Sequence, residues 1–444
     1  MGAVGATRPS TATRRDGLDA IVVGAGQAGL GTSYFLKQLG LDHVVLERDR
    51  VASSWRRQRW DSFTVNTPNA LNALPGDRAT GRRADGFYTR DELVDRFETY
   101  ARRFALPLRE RCAVIAVEQE PADAGFRVTA RDHGGSEEVL SARSVVVASG
   151  ILNEPRVPAL GAALPDTVAQ LHTAEYRNPA QLSPGAVLVV GSGQSGVQIA
   201  EELLAAGRRV YLATSRVGRC PRRYRGRDLD EWLWESGFFD LPRSEVADPT
   251  VFARAQPQVS GVGRYGHSVS LQSLARDGAT LLGRLVAVAG TVLRFDDSLK
   301  HNILFADADS AESKALADRY IAAQGIDAPP PEDDPADRPW VDAEDVTAPR
   351  ELDLAAAGIG TVLWCTGFTG DFSWLRLPAL GDDGRPLHDG GVSPVPGLHF
   401  IGFPWLRRRK SGIICGIEDD AAFVAGRVAQ RAAAIPRRAV SQAI

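Results

Sequence analysis

Residues 21–31 read IVVGAGQAGLG and residues 187–197 read VLVVGSGQSGV, so one glycine pattern stands at two distant points of the same chain. Alone, a GxGxxG run says little, because glycine-rich turns after buried strands are common. The surroundings say more. Residues 19–23 (DAIVV) read as a short buried strand, Gln27 to Leu39 carries apolar residues at helical spacing, and residues 43–47 (HVVLE) form a second strand-like run. Strand, glycine turn, helix and a strand ending on an acid make up a dinucleotide-binding unit. In that unit Gly24 permits the tight turn, Gly26 lets backbone approach a pyrophosphate, and Gly29 lets helix and strand pack closely. The helix opens at Gln27 with free N–H groups facing the phosphates. Glu47, followed by Arg48 at the nucleotide's edge, would accept hydrogen bonds from ribose hydroxyls, which suits an unphosphorylated ribose such as that of FAD or NAD.

The second copy ends differently. AVLVV (186–190) is its strand, Gly191 and Gly193 its turn, Gln194 and Ser195 open a helix running to Ala206, and RRVYLATSR returns as a strand. Where the first unit has Glu47, this one has Ser215 and Arg216. A hydroxyl and a guanidinium suit a 2′-phosphate, so the second site reads as one for NADPH. Intact glycines in both copies, with opposite charge at the two strand ends, weigh against one true unit and one decayed relative. An FAD site followed by an NADPH site makes a flavoprotein oxidoreductase, one nucleotide delivering electrons to the other.

At 444 residues and 47.7 kDa the chain exceeds the usual single core and fits an α/β protein of two Rossmann-like domains. Apolar residues at 44% and charged residues at 24% rule out a largely disordered chain. A net charge of -3 leaves no basic surplus for nucleic acid, and the one dense basic run is Arg407-Arg408-Arg409-Lys410. Cys112, Cys220, Cys365 and Cys415 are far apart, with no CxxC and no Cys/His cluster, which disfavours metal sites and a dithiol relay. Residues 1–17 read as a loose tail rather than a signal peptide or anchor, and no uninterrupted run of roughly 18 apolar residues occurs. A cytoplasmic enzyme without membrane or nucleic-acid partner is expected, as a monomer or homodimer.

With these units in view the chain resembles the class B flavoprotein monooxygenases, which include the flavin-containing monooxygenases, the plant YUCCA enzymes and bacterial CzcO-like flavoproteins. Four further stretches carry the resemblance: SSWRRQRWDSFTVNTPNALNALPG (53–76), similar to the flavin-proximal segment; VVVASGILNEPRVP and VLWCTGFTGDFSWL, similar to the two crossovers; and GLHFIGFPWLRRRKSGIICGIEDDAAFVA (397–425), similar to the segment returning to the flavin. Residues Leu271 to Gly325 most resemble CzcO-like members. The family signature FxGxxxHxxxY is met at His172 and Tyr176, but Asp166 and Val168 replace its phenylalanine and glycine. His172 reads as a hydrogen-bonded linker residue sooner than as an acid or base.

The resemblance implies an NADPH domain inserted in the FAD domain: a first FAD part over 18–155, an NADPH domain with a substrate-side segment over 156–349, and a second FAD part over 350–444. Ala148, Gly150, Thr366 and Gly367 would lie at the crossovers, with Trp55 and Ser411 beside the cofactor and Trp405 packed near it. It implies further that NADPH reduces FAD, that reduced flavin binds oxygen at C4a, and that one oxygen atom passes to a small metabolite. Asn66 matches the family asparagine beside the flavin, with Asn69 a second candidate; an Asx turn before Pro68 is the plainer role for Asn66. Arg222, Arg223, Arg225 and Arg227 suit either the phosphate or the domain interface, if they are not simply solvated. N-hydroxylation is favoured for a high-GC bacterial chain poor in lysine; Baeyer-Villiger or decarboxylating oxygenation, peroxide release by an NADPH oxidase, and a nucleotide-binding regulator are the alternatives.

Overall fold

The computed structural model of the protein describes residues 15–77, 86–121, 125–253, 266–340 and 347–435; most of the expected tail lies outside them. The first glycine turn follows strand Arg15–Val23, the turn helix is Gln27–Gln38, and the next strand is His43–Leu46, with Glu47 one residue beyond its end. Strand Arg15–Val23 pairs in parallel with His43–Leu46 on one side and with Glu137–Val147 on the other. The turn therefore sits where the strand order reverses, the crevice in which open α/β sheets hold their ligands.

The second unit repeats this plan. Ala186–Val190, buried along its whole length as a central parallel strand should be, lies between Val210–Ala213 and Ile359–Trp364. Thr280–Leu282 and Ala169–His172 complete a five-stranded parallel sheet. The turn helix is Gln194–Ala205, within one residue of the sequence expectation.

The antiparallel strands Cys112–Gln119 and Phe126–Asp132 extend the first sheet, because the eleven-residue strand Glu137–Val147 pairs with Phe126–Asp132 through its first half and with Arg15–Val23 and Leu398–Phe400 through its second. One expectation needs correction. The return to the first unit falls later than residue 350, since Ile359–Trp364 is a strand of the second sheet and Glu351–Asp353 pairs with Val292–Phe295 beside it. The two connections themselves meet as a short antiparallel ribbon of Glu154–Pro155 against Phe368–Thr369.

Local chemistry fixes the other elements near the site. Helix Arg90–Arg103 begins with a capping box at Thr89 and Glu92, each side chain bonding the other's backbone N–H. In the inserted segment, helix Leu229–Glu235 packs through Leu229, Trp232 and Leu233 on Ala317 and Ile321 of the long helix Leu299–Gln324. Arg219, 2% exposed, ties that helix through Asp307 to Asp337 in the loop beyond it. The C-terminal helix Ile417–Ala434 lies against the first turn helix. No described helix is long and apolar enough to cross a membrane.

Candidate active site

The two turns are the same object in backbone terms. Gly24 has φ +105° and Gly191 φ +104°, the left-handed region glycine adopts freely. A Cβ on Gly24 would lie 2.7 Å from the carbonyl oxygen of Ala148, and one on Gly191 would lie 2.6 Å from that of Cys365. The crossovers thus pack directly on the turns through Ala148 at the first and Cys365 at the second, with Gly150 and with Thr366 and Gly367 following them in the chain. A Cβ on Gly29 or Gly196 would lie 1.9 Å from the carbonyl of Gly24 or Gly191, so neither helix could stay as close to its strand. By contrast, a Cβ on Gly26 or Gly193 would meet no atom within 4 Å. Those two glycines cap the twelve-residue helices that open at Gln27 and Gln194, neither with a side-chain cap hydrogen bond. A turn of this shape at a helix N-terminus can cradle a diphosphate.

The strand ends separate the cradles. Glu47 is 7% exposed; its carboxylate accepts from the N–H of Ala25 at 2.8 Å and of Asp49 at 3.0 Å, and burial pushes its pKa up against those two bonds. The carboxylate is thereby fixed beside the turn, with lone pairs left to accept. Arg48 lies exposed, 3.7 Å from Glu154 of the ribbon. In the second unit Ser215 is latched to the turn, its N–H donating to Oγ of Ser192 at 2.9 Å. Arg216 is exposed and stacks on Phe305 at 4.3 Å, which holds a guanidinium at the strand end. The donor set fits an unphosphorylated ribose at one cradle and a phosphorylated one at the other.

Between the cradles runs a polar seam. Gln198 and Glu202, one turn apart on the second turn helix, face segment 61–66 of the first unit: Gln198 Nε2 donates to Oδ1 of Asn66 at 3.3 Å, and Ser62 Oγ donates to Glu202 at 2.7 Å. Tyr176, wholly buried, donates to the other oxygen of Glu202 at 2.6 Å. Arg222, 1% exposed, donates from Nη1 to the carbonyl of Asn66 at 2.5 Å, pairs with Asp228 and Asp230, and stacks on Phe87 at 4.6 Å. Burial raises Asp228 to about 7 and pushes Asp230 up as well. Asn66 is thus held from the second unit, and the local turn is tied by Asn72, whose Nδ2 donates to the carbonyls of Thr67 and Pro68. Asn69 opens the short turn Asn69–Leu71 and is buried.

The remaining candidates divide. Trp55 Nε1 donates to Oε1 of Gln27 at 3.0 Å, which sets the indole against the first cradle. Thr366 Oγ1 donates to the carbonyl of Arg156 and fastens the crossover. Ser411 Oγ accepts from the N–H groups of Arg407 and Arg408, both at 3.1 Å, so it ties its own turn. Trp405 is buried at φ +55° against Phe252 and Arg409. His172 accepts from the N–H of Ala174 at Nδ1 and so donates from Nε2 to the carbonyl of Gly367 at 2.9 Å; burial lowers its pKa. It is a neutral strut between sheet and crossover. Arg223 bonds Gly226, Arg225 bonds Asp318, and Arg227 bonds Glu231 and Glu235, so of that basic run Arg222 alone is drawn into the seam. The run at 407–410 is likewise internal, with Arg408 and Lys410 paired to Asp240 and Asp419. The four cysteines are free thiols; burial raises Cys220 and Cys415 to about 12 and keeps all four poor nucleophiles. No metal-ligating cluster occurs among the described residues.

Sequence reasoning missed Gln198, Glu202 and Asn72. A signal existed for two of them: Gln194, Gln198 and Glu202 recur every four residues, a polar stripe on a helix otherwise apolar enough to be core.

Two glycine turns of opposite strand-end charge, joined by a polar seam, have the chemistry to hold two dinucleotides. A family described as pyridine nucleotide-disulphide oxidoreductase matches residues 21–232. An uncharacterized CzcO-like oxidoreductase of Geobacillus kaustophilus is 30% identical over 411 residues, 92% of this chain and 97% of that one. The indole-3-pyruvate monooxygenase YUCCA1 of rice is 34% identical over 189 residues, 42% of this chain and 45% of that one. A solved flavin-containing monooxygenase from Stenotrophomonas maltophilia shares the fold, with a TM-score of 0.60 at 20% identity over 94% of this chain and 99% of that one. The chain belongs to the family of the CzcO-like oxidoreductases and has the fold of the flavin-containing monooxygenases.

Proposed function

We propose that the cradle at Gly24, Gly26 and Gly29 with Glu47 takes FAD, that the cradle at Gly191, Gly193 and Gly196 with Ser215 and Arg216 takes NADPH, and that the enzyme places one atom of dioxygen on a small metabolite. The opposite chemistry of the two strand ends carries this reading: a buried carboxylate accepts ribose hydroxyls, and an exposed stacked guanidinium accepts a 2′-phosphate. When bound, the flavin supplies two-electron redox chemistry and dioxygen activation, and NADPH supplies the hydride. The balance is one NADPH and one dioxygen per substrate, with the second oxygen atom leaving as water. The protein's share is placement and exclusion of bulk water. On this reading Asn66, its Oδ1 turned to Gln198, has its Nδ2 to donate at the reaction centre, with Trp55 closing the flavin side. The inserted domain runs from about Arg156 to Thr366, between the two strands of the ribbon. An oxygen atom delivered as an electrophile calls for a lone pair on the substrate, and a nucleophilic nitrogen is our first choice.

The test is to reduce the enzyme with NADPH without oxygen, mix it with aerated buffer and follow the visible spectrum. A transient unlike oxidised or reduced flavin supports oxygenation and warrants a screen of amines, then sulfides and ketones. Direct return to the oxidised spectrum, with one peroxide per NADPH and no product in the screen, supports an NADPH oxidase instead. In the same assay Asn66→Ala is expected to keep FAD and NADPH oxidation while releasing more hydrogen peroxide; unchanged release removes Asn66 from the reaction centre.

A further inference from the structure

Asn66 belongs to the first unit in sequence, yet both of its oxygens accept hydrogen bonds from the second. Gln198 reaches Oδ1 from the second turn helix, and Arg222 reaches the carbonyl from the segment that follows the second cradle. Both donors are almost wholly buried, at 1% exposure each. Arg222 is held on three further sides. Asp228 and Asp230 pair with its Nη2, Phe87 lies under the guanidinium, and its own N–H donates to Ser268 Oγ at 2.7 Å. Asp228 is in turn fixed as the cap of helix Leu229–Glu235. A chain of packed, charge-assisted bonds therefore runs from the inserted segment to one asparagine of the other domain.

We propose that Arg222 and Gln198 are positioning residues for Asn66: the NADPH unit itself sets the rotamer and the height of the asparagine, so that Nδ2 meets the reacting oxygen only when the two units are docked. The inference rests on reading Asn66 as the residue beside the flavin. The two contacts divide the work. Gln198, by donating to Oδ1, decides which branch of the amide faces the centre, and Arg222, by fixing the main-chain carbonyl, decides where the amide stands. An interface built only for stability would not need to place its buried cation on that single carbonyl; the contacts of Asp61 with Arg177 and Asn178 and of Ser62 with Glu202 already join the same segment to the second unit.

The experiment compares peroxide release during NADPH oxidation in air, without added substrate, for the full-length wild type, Arg222→Met, Gln198→Leu, Asn66→Ala and the two double variants with Asn66→Ala. FAD content and melting temperature are recorded for each. Because Arg222→Met leaves two buried carboxylates without their cation, Gln198→Leu serves as the variant that removes a donor without stranding a charge. Both single variants are expected to release peroxide about fivefold faster with FAD retained, the factor worth about one hydrogen bond of ordering, and to add nothing in the Asn66→Ala background. A rise in Asn66→Ala with no rise in Gln198→Leu, or a rise that multiplies in the double variants, overturns the positioning role and leaves the Asn66 reading intact. No rise in Asn66→Ala overturns both.

Discussion

At the first turn Gly24 lies against the carbonyl of Ala148, and at the second Gly191 lies against that of Cys365, with would-be Cβ contacts of 2.7 and 2.6 Å. The helices begin three residues later in each and run for twelve. One strand further on, the likeness stops: Glu47 is buried and hydrogen-bonded to the turn, whereas Arg216 is exposed and stacked on Phe305. The shape of the turn is thus a matter of backbone sterics, and on the proposed reading the choice of nucleotide is a matter of one side chain beyond it. Duplicated units can share the first and diverge in the second.

The largest test of that division strikes the shared part. Gly29→Ala forces a Cβ onto the carbonyl of Gly24 and is expected to yield protein without flavin, while Gly196→Ala, its mirror, is expected to keep flavin and raise the KM for NADPH about five- to 150-fold, the overpacking cost being about 1–3 kcal/mol. Flavin absorbance of the purified variants and steady-state NADPH oxidation read the two outcomes. Loss of flavin from both variants would mean that the units do not act separately.

A smaller effect is expected from the part that differs. Arg216→Ala is expected to lower the preference for NADPH over NADH roughly ten- to hundredfold, since hydrogen bonds between charged groups contribute about 1.5–3 kcal/mol. Glu47→Gln is expected to weaken FAD retention and leave that preference alone. If Glu47→Gln moves the NADPH/NADH ratio of kcat/KM and Arg216→Ala does not, the assignment of nucleotides is reversed.

The smallest effect concerns the strut between the units. Burial holds His172 below its ordinary 6.5, so the unfolded chain takes up the proton first as pH falls. Its contribution to stability is full above about 6.5 and is lost as pH falls from there toward the folded value. Relative to His172→Gln, the wild type should lose melting temperature more steeply on acidification below about pH 6.5. Parallel melting curves would deny His172 its neutral bonds to Ala174 and Gly367.

Much of the fold could be read from local pattern. The glycine spacing dictates strand, turn and helix because only glycine survives at φ near +105° and at a contact of 1.9 Å; the Thr89–Glu92 box dictates a helix start because both bonds lie within one turn. The sheet boundaries were less legible. Glu137–Val147 looks like the third strand of a local meander, and only its pairing with Arg15–Val23 and Leu398–Phe400 draws the meander into the main sheet. The strand Ile359–Trp364 carries no mark of which sheet it joins, since both sheets accept a buried parallel strand at that position.

The sequence by itself determined the two cradles and the opposite charges beside them, because each is built from residues a few positions apart whose geometry is imposed by sterics and by one helix end. Only the tertiary structure decided that Asn66 would be held by Gln198 and Arg222, which stand 132 and 156 residues away. Contacts of that range depend on how two finished domains dock, and buried side-chain hydrogen bonds leave no periodicity along a chain by which they could be read.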